Sequence, residues 1–245
     1  QHVDIGFADS EWSPKIGLVW HAQSDLTFRA SSGIGFRAAS MSERFSDSIY
    51  SGLRIIPNPE LKSETAWSNE IGFNYNPLPF LFLDVAGFVS NYWDLIEPEP
   101  DETQTVQFIN VTRARISGVE TNLKVMPLPG LGLDIGYTYM EPKDLDLDQI
   151  LAYRPRHLLT FAGTYSLSIF DIGLDYRYVS RLDAVKVYPM DDRVEQKVMN
   201  ARAAIHFGAY TLTANVNNLF NHNYTQMERT LEPIRHYVLT LSSVF

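Results

Sequence analysis

The chain has no cysteine and no long apolar run, and each absence excludes a class of protein. Without cysteine among its 245 residues, the sequence excludes disulfide frameworks, thiol nucleophiles and thiolate metal sites. Its longest apolar stretch, residues 78–89, is interrupted by Pro79 and Asp84, whereas a membrane-spanning helix needs about 18–20 apolar residues. The sequence therefore excludes a spanning helix but not a spanning β-barrel, whose strands alternate apolar and polar residues.

Positive charge is also scarce. Lys and Arg number 20 against 29 Asp and Glu, which gives a formal net charge of -9 and disfavours nucleic acid as a partner. The six histidines have no metal-ligand spacing, and no nucleophile, histidine and acid form a catalytic pattern. We therefore expect no enzymatic activity, no catalytic residues, no bound metal and no cofactor.

What dominates the sequence is alternation with a period of two, which indicates strands with two different faces. Two clear runs carry apolar side chains at every second position, namely Ile172, Leu174, Tyr176, Tyr178 and Tyr210, Leu212, Ala214, Val216. The positions between them are polar or small. No convincing amphipathic helix competes with these runs.

Alternating segments of this kind predict about eleven strands. They lie near 12–22, 26–38, 66–76, 80–97, 105–126, 131–141, 155–167, 171–181, 193–207, 210–224 and 234–245. Most are as long as the roughly 9–11 residues that a tilted strand needs to cross a bilayer, and longer than the usual 5–6 of soluble proteins. The fold class is therefore all-β, an antiparallel transmembrane β-barrel, with a soluble β-sandwich or propeller as the alternative.

Short turns and long loops alternate between these strands. Short turns are predicted at 23–25, 77–79, 127–130, 167–170 and 208–209, and longer polar loops at 39–65, 98–104, 142–154, 182–192 and 225–233. Outer-membrane barrels have short periplasmic turns and long extracellular loops. An odd, open sheet would leave its first and last strands unpaired in hydrocarbon, which is costly. Because residues 1–4 also lack signal-peptide features, we expect the chain to begin within a barrel and to form half of it.

Four segments resemble the motifs of TonB-dependent outer-membrane receptors, in the order and spacing of that family. They are GFRAASMSERF at 35–45, PNPELKSET at 57–65, ISGVE at 116–120 and NVNNLFN at 215–221. Trp67, Tyr224 and the terminal Phe245 add to the resemblance. Ala39 and Ser63 stand where the family often has proline, but both lie in or beside a loop.

This resemblance implies that residues 1–245 are the C-terminal part of a receptor barrel, roughly strands 12–22 of a 22-stranded barrel with a plugged lumen. It implies an outer-membrane receptor for energy-dependent uptake of a scarce nutrient such as a ferric siderophore, haem or cobalamin. The implied partners are outer-membrane lipid, the absent N-terminal plug and strands, TonB with its inner-membrane complex, and the barrel assembly machinery. A passive porin-like barrel, or a structural or docking barrel, is the alternative.

Individual residues receive three roles on this interpretation. Charges on the inner face are expected to contact the plug: Arg29, Arg37, Glu70, Glu120, Arg177 and Arg202. Aromatic and cationic residues of the long loops and upper inner strands are expected to bind an anionic ligand: Tyr50, Arg54, Trp93, Arg113, Arg115, Tyr188 and Met190. The last strand is expected to carry the assembly signal: Tyr237, Leu239, Leu241 and Phe245.

Overall fold

The computed structural model describes residues 12–50, 52–101, 103 and 105–244, and it confirms the all-β fold with one long antiparallel sheet. The predicted assembly residue Phe245 lies outside the described residues. Eleven strands follow one another across the sheet: β1 (Lys15–His21), β2 (Leu26–Arg37), β5 (Glu64–Leu78), β6 (Leu81–Pro100), β7 (Thr105–Leu128), β8 (Leu131–Asp144), β10 (His157–Leu167), β11 (Phe170–Val179), β12 (Gln196–Phe207), β13 (Tyr210–Asn217) and β16 (His236–Ser243). Their number agrees with the sequence prediction.

The pairing register turns the alternation of each strand into two continuous faces. Phe161 of β10 stands opposite Ile135 of β8 and Tyr176 of β11, whereas the next residue, Ala162, stands opposite Asp134 and Asp175. Residues opposite one another in an antiparallel pair project to the same side. The apolar face therefore carries the first group, and the polar face carries the second.

Five short connections lie together at one end of the sheet, here called the turn end. They comprise residues 22–25, 79–80, 129–130, 168–169 and 208–209. Gly130 has a φ of +80°, and a Cβ there would lie 2.2 Å from the carbonyl oxygen of Ser166. Only glycine fits this turn, because it tolerates positive φ and adds no side chain.

Longer connections lie at the opposite end, here called the loop end. They contain secondary structure that the alternation did not predict: α1 (Met41–Phe45), β3 (Ser48–Tyr50), β4 (Leu53–Ile56), β9 (Gln149–Ile150), β14 (Thr225–Met227) and β15 (Thr230–Leu231). β4 runs parallel to the start of β7 and pairs with it. Within the described ranges, no helix has the length and apolar character to traverse a bilayer.

The strand predicted over 210–224 is wrong beyond Asn217. Asn218 and Asn221 adopt left-handed conformations, with φ of 52° and 53°. The buried Asn218 side chain donates to the carbonyl oxygens of His222 and Pro233 and accepts from the His222 N–H. Asparagine tolerates this conformation better than most residues and bonds its own neighbourhood, so the chain turns here and the strand ends.

β6 and β7 are the longest strands, and they extend as a hairpin at the loop end. A small core forms there from Leu95 of β6, Ala114 of β7 and Leu151 of the loop after β9, all at most 5% exposed. The loop after β9 therefore packs on the hairpin.

Candidate functional site

Arg29 lies at the centre of an ion network on the polar face. It comes from β2, while Glu70 and Asn74 come from β5 and Asp84 from β6. Its guanidinium donates two hydrogen bonds to Asp84, of 2.6 Å and 3.0 Å, and one of 3.0 Å to Glu70. Asn74 bonds both Arg29 and Asp84. Since each charge here contacts an opposite charge, the network is satisfied within the sheet.

Arg37 forms a second network where β2 reaches the loop end. It donates to both oxygens of Glu64, at 2.8 Å and 3.1 Å, and to both oxygens of Glu43, at 3.1 Å. Glu43 also completes a capping box with Ser40 at the start of α1, which satisfies the first free N–H groups of that short helix. Arg37 therefore fixes how the chain leaves β2.

Four other charges of the polar face have no ion-pair partner among the described residues. Glu120 lies on β7, Asp175 and Arg177 on β11, and Arg202 on β12. Arg177 stands opposite Thr160 and Val198, and Arg202 opposite Gly173 and Asn215, so neither has an opposite charge directly across from it. The nearest carboxylates on the same face are Asp175, two residues from Arg177, and Asp171, diagonal to Arg202. The expected plug-contacting residues thus divide in two. Arg29, Arg37 and Glu70 are already paired, while Glu120, Arg177 and Arg202 are not.

A cavity of about 850 Å³ opens at the loop end, above the polar face of β11 and β12. Apolar, aromatic and charged side chains share its wall, including Val179, Tyr188, Met190, Asp191, Arg193 and Arg229. Arg177 also lines it and connects it to a smaller cavity of about 340 Å³ further down the polar face. Cavities of this size accommodate organic ligands of several hundred daltons.

Tyr153 joins the loops that form this cavity. Its hydroxyl oxygen accepts from the N–H groups of Val187, at 2.7 Å, and Lys186, at 3.0 Å, and its O–H donates to Glu228 at 3.1 Å. Burial raises the pKa of Tyr153 to about 12, with the nearby Glu228 carboxylate adding to the rise. Tyr153 also has a φ of 62°, which is a strained conformation for a bulky residue. One neutral phenol therefore ties the loop after β9 to the loops at 180–195 and 218–235.

Arg229 makes a second link between two of these loops. It binds Asp191 through two hydrogen bonds, of 2.8 Å and 3.2 Å, and its guanidinium carbon lies 3.6 Å from the centre of the Tyr188 ring. The Arg229 guanidinium holds the pKa of Asp191 below its ordinary value. A carboxylate and an aromatic face thus orient one cation at the rim of the cavity.

The β6–β7 hairpin holds the other side of the loop assembly. Glu97, almost fully buried, accepts from Arg154 at 3.0 Å, and its second oxygen lies 2.5 Å from the same guanidinium. Lys186 pairs with Glu99 two residues further along β6. A buried carboxylate needs such a partner, so Arg154 anchors the loop after β9 to the hairpin.

One histidine at the turn end contacts both an acid and a hydroxyl. His206 lies 2.6 Å from Asp171 and 2.9 Å from Thr211. Thr211 stands directly opposite His206 in the β12–β13 register, and His21 contacts Thr27 in the same way across β1 and β2, without any acid. The contact is thus a cross-strand pair that recurs at two hairpins. Nothing in it resembles a catalytic site, which would need an oriented base and an anion-stabilising donor set.

Comparison with known families identifies this architecture. A sequence profile described as TonB dependent receptor-like, beta-barrel, matches residues 2–219. The chain belongs to this family. The polar face is therefore the side of the sheet that faces the lumen of a receptor barrel.

Relatives of the receptor barrel agree with this membership. The vitamin B12 transporter BtuB of Vibrio vulnificus is 28% identical over 224 residues, which cover 87% of this chain and 33% of the transporter. The heme/hemopexin utilization protein C of Haemophilus influenzae is 28% identical over 188 residues, covering 66% of this chain and 26% of that protein. The chain thus spans about a third or less of the curated relatives that it matches.

A solved structure shows the same fold. The siderophore receptor PirA from Acinetobacter baumannii superposes with a TM-score of 0.74, at 16% identity, over 96% of this chain and 41% of that protein. The eleven strands described above are therefore part of a receptor barrel. The relatives are transporters and receptors, not enzymes, which agrees with the prediction of no enzymatic activity.

The barrel does not bring the expected ligand residues together. Tyr188 and Met190 line the 850 Å³ cavity, and Arg54 lies on β4, paired with Asp47. The side chain of Tyr50 lies outside the described part of the chain. For all seven expected residues, ligand binding stays a prediction.

Trp93, Arg113 and Arg115 lie on the apolar face, which corrects their expected place on upper inner strands. Trp93 stands opposite Arg113, and Arg115 opposite Asn91, in the same alternation as Val89 and Val119. Arg113 pairs with Asp146 at 2.9 Å, and Arg115 donates to Asn91 at 2.8 Å. Their side chains project away from the lumen because the alternation with a period of two continues to the loop end.

The assembly residues of the last strand share one face. Tyr237, Leu239 and Leu241 of β16 are 71%, 72% and 63% exposed, and all three stand on the apolar face. A row of large apolar side chains exposed to this degree fits contact with lipid rather than water. Their role as an assembly signal stays a prediction.

Sequence analysis identified Tyr188 and Met190 of the cavity wall, but not the residues that join its loops. Tyr153, Glu228, Arg229 and Asp191 lie in three different loops and have no periodic pattern around them. Their only shared signal is the mixture of aromatic and charged residues in long loops. Among the described residues, no group of three or more His, Asp or Glu side chains is arranged to hold a metal ion.

Proposed function

We propose that residues 1–245 form the C-terminal half of the barrel of an outer-membrane receptor that takes up a scarce nutrient with energy supplied through TonB. The observation that carries this proposal is the 850 Å³ cavity at the loop end, which opens directly onto the polar, lumen-facing side of β11 and β12. A ligand bound there from outside the cell would stand at the entrance of the lumen. Membership of the receptor family supports transport from outside the cell into the lumen.

The nutrient belongs to a class that is too large for ordinary porins. The two relatives are named for vitamin B12 and for heme, and a cavity of this volume suits ligands of that size. Tyr188 and Met190 would provide apolar contact surface, while Arg193 would contact anionic groups. A ferric siderophore, haem and cobalamin are the three cargoes to test first.

Glu120, Arg177 and Arg202 are proposed to contact the plug that fills the lumen. Support comes from their unpaired charge within the described part of the sheet. A charge covered by another domain loses its hydration, and it is tolerated only if that domain supplies a counter-charge. On the same proposal, the plug carries the contact with TonB, and the barrel assembly machinery inserts the barrel through its last strand.

The test is uptake by the full-length receptor in cells that lack their own copies of such receptors. Labelled cyanocobalamin, haemin and one ferric siderophore are the three probes. We expect uptake of one probe to be saturable and to stop when TonB is deleted or a proton ionophore is added. Uptake that is linear with concentration and insensitive to both treatments would favour the passive, porin-like alternative. Absence of uptake for all three probes, with the receptor correctly folded in the outer membrane, would contradict the proposed function.

A pair of variants tests the cavity itself. Tyr188→Ala removes an aromatic wall of the cavity and should raise the half-saturating concentration of the transported probe several-fold. Met41→Ala serves as the control, because Met41 is an exposed residue of α1 that does not line the cavity. Equal effects of the two variants would show that the cavity does not bind the cargo.

A further inference from the structure

Tyr153, the residue that joins the loops of the 850 Å³ cavity, is fixed on both sides to the β6–β7 hairpin. On one side, Leu151 belongs to the same small core as Leu95 of β6. On the other side, Arg154 binds the buried Glu97 of the same strand. Tyr153 lines the cavity, whereas Glu97 and Arg154 do not. Two side chains outside the cavity therefore hold a residue of its wall.

The backbone of Tyr153 needs this support. Its φ of 62° lies in the left-handed region, which a bulky residue adopts only where its surroundings hold it there. The Tyr153 N–H donates to the carbonyl oxygen of Ala184 at 3.0 Å, so the backbone as well as the hydroxyl contacts the loop at 180–195. Release of Arg154 would let this backbone relax to an ordinary conformation and would withdraw the hydroxyl from its partners.

Glu97 and Arg154 form the best protected ion pair between the hairpin and these loops. The Glu97 side chain is 4% exposed and that of Arg154 is 26% exposed. The side chains of a second pair, Lys186 with Glu99, are 32% and 45% exposed. Exposed ion pairs contribute little to stability, while a buried carboxylate that loses its partner is strongly destabilising. The hairpin therefore holds the loop after β9 mainly through Glu97.

A short path of hydrogen bonds leads from Tyr153 to the aromatic wall of the cavity. The Tyr153 hydroxyl donates to one oxygen of Glu228, and the other oxygen accepts from the Tyr188 N–H at 3.1 Å. The same hydroxyl accepts from the N–H of Val187, one residue before Tyr188. The position of Tyr188 thus depends on Tyr153 from two directions.

We propose that Glu97 and Arg154 are positioning residues that raise the affinity for the cargo without touching it, which rests on the proposed function because it takes the cavity as the cargo site. By fixing Tyr153, they keep the Tyr188 wall in one arrangement before the cargo arrives. A site that is ordered in advance loses less conformational entropy on binding and binds more tightly. Cargo affinity is therefore controlled from the hairpin, outside the cavity.

Uptake by the full-length receptor with Glu97→Gln tests this control. The amide keeps the shape of the side chain and removes the charge that orients Arg154, which is partly exposed and can turn to water. For the labelled cyanocobalamin, haemin or ferric siderophore that the unaltered receptor transports, the half-saturating concentration should rise about tenfold, a change usual for coupling between separate sites. The maximal rate per folded receptor should stay unchanged, because neither side chain lines the cavities of the polar face.

Glu60→Gln is the matched control for the change in charge. Glu60 is an exposed loop carboxylate that makes no ion pair within the described ranges, so its replacement should leave the half-saturating concentration unchanged. If Glu97→Gln lowers the amount of folded receptor, Glu97→Gln combined with Arg154→Gln takes its place, since it leaves no charge at either position. A half-saturating concentration that does not rise in the folded variant would overturn the role of the pair and leave the proposed function intact.

Amide hydrogen exchange of the cargo-free receptor measures the positioning itself. By mass spectrometry in detergent, residues 184–193 should exchange severalfold faster in Glu97→Gln than in the unaltered receptor, and at the original rate in Glu60→Gln. Unchanged exchange in Glu97→Gln would overturn the role of the pair. Because this measurement needs no cargo, it decides the matter even if the unaltered receptor transports none of the three probes, a result that contradicts the proposed function.

Tyr153→Phe shows whether the pair acts through the Tyr153 hydroxyl. This variant already lacks the hydroxyl, so adding Glu97→Gln should raise the half-saturating concentration by no more than about twofold further, as expected for two residues that act in one network. Effects that multiply independently would show that Glu97 acts by another route, and would overturn the path through Tyr153.

Discussion

The guanidinium carbon of Arg229 lies over the ring of Tyr188, 3.6 Å from its centre, while Asp191 accepts two hydrogen bonds from the same guanidinium. The three residues come from two loops that are separated by the whole of β12 and β13 in the chain. A flat cation with a fixed direction of its donors suits this arrangement, and an ammonium group does not.

Arg229→Lys should therefore loosen the loop at 180–195 although it retains the charge. We expect amide hydrogen exchange of residues 187–193 to accelerate severalfold, measured by mass spectrometry on the full-length receptor in detergent. Arg235→Lys is the control, because among the described residues the Arg235 side chain makes no ion pair. Exchange that is unchanged in Arg229→Lys would show that the loop is held by other contacts.

Gly118 marks a close approach between strands, and replacing it should weaken the barrel. A Cβ at this position would lie 2.2 Å from the carbonyl oxygen of Tyr139 and 2.8 Å from the Phe88 ring. Gly118→Ala should lower the free energy of unfolding by about 1–3 kcal/mol, since β7 or β8 must shift. Gly35→Ala is the matched control, because a Cβ there meets nothing within 4 Å. The measurement is the midpoint of unfolding in guanidinium chloride. Equal midpoints for the two variants would contradict the close approach.

The last strand offers a test of which face meets lipid. Leu239 stands on the apolar face and Thr240 on the polar face of β16. Leu239→Arg should reduce the heat-modifiable, folded fraction in outer membranes, because a lipid-facing arginine costs about 2–4 kcal/mol near the bilayer centre. Thr240→Arg should fold at close to the normal yield. A greater loss from Thr240→Arg would reverse the assignment of the two faces.

Tyr153 predicts a response to alkaline pH. Its pKa is raised to about 12 in the folded protein, mainly by burial, while an unfolded tyrosine ionises near 10. The raised value means that the neutral phenol contributes its full stability below about pH 10 and loses it as the pH rises towards 12. Absorbance at 295 nm reports tyrosine ionisation. The titration curve of the native receptor, after subtraction of the curve for Tyr153→Phe, should have its midpoint near pH 12. A midpoint near 10 would show that this phenol is exposed to water.

Asn218 separates the contributions of conformation and hydrogen bonding at the end of β13. Asn218→Gly relaxes the left-handed turn but loses three side-chain hydrogen bonds, whereas Asn218→Ala loses the same bonds and keeps a β-carbon in that conformation. We expect protease cleavage of the loop at 218–235 to increase in both variants. The increase should be larger in Asn218→Ala, which loses about 1 kcal/mol more local stability than Asn218→Gly. Equal cleavage would mean that the left-handed backbone is relaxed elsewhere.

The strands could be predicted from sequence because the two faces of the sheet meet different surroundings. Ile172 and Leu174 alternate with Gly173 and Asp175 for that reason, and the alternation survives without any knowledge of neighbours. It failed at Asn218, where Leu219 and Phe220 continue the apolar composition after the backbone has already turned. The period of a pattern does not reveal a single residue with positive φ.

The site was less accessible to prediction, for two different reasons. Trp93, Arg113 and Arg115 could have been assigned to the apolar face, since the alternation that places Val89 and Val119 there extends to them. The contact between Tyr153 and Glu228 could not have been predicted, because the two residues are 75 positions apart and meet only through folded loops. Local patterns carry no information about such contacts.

Four of the five connections at the turn end consist of only two residues. Strands joined so tightly meet with almost no loss of chain entropy, and neither can slide past the other without breaking the turn. Each pair of strands that shares such a turn therefore has its register set by the turn itself. Strands joined across a long loop depend on their own contacts for register, so they are where a misaligned pairing could arise.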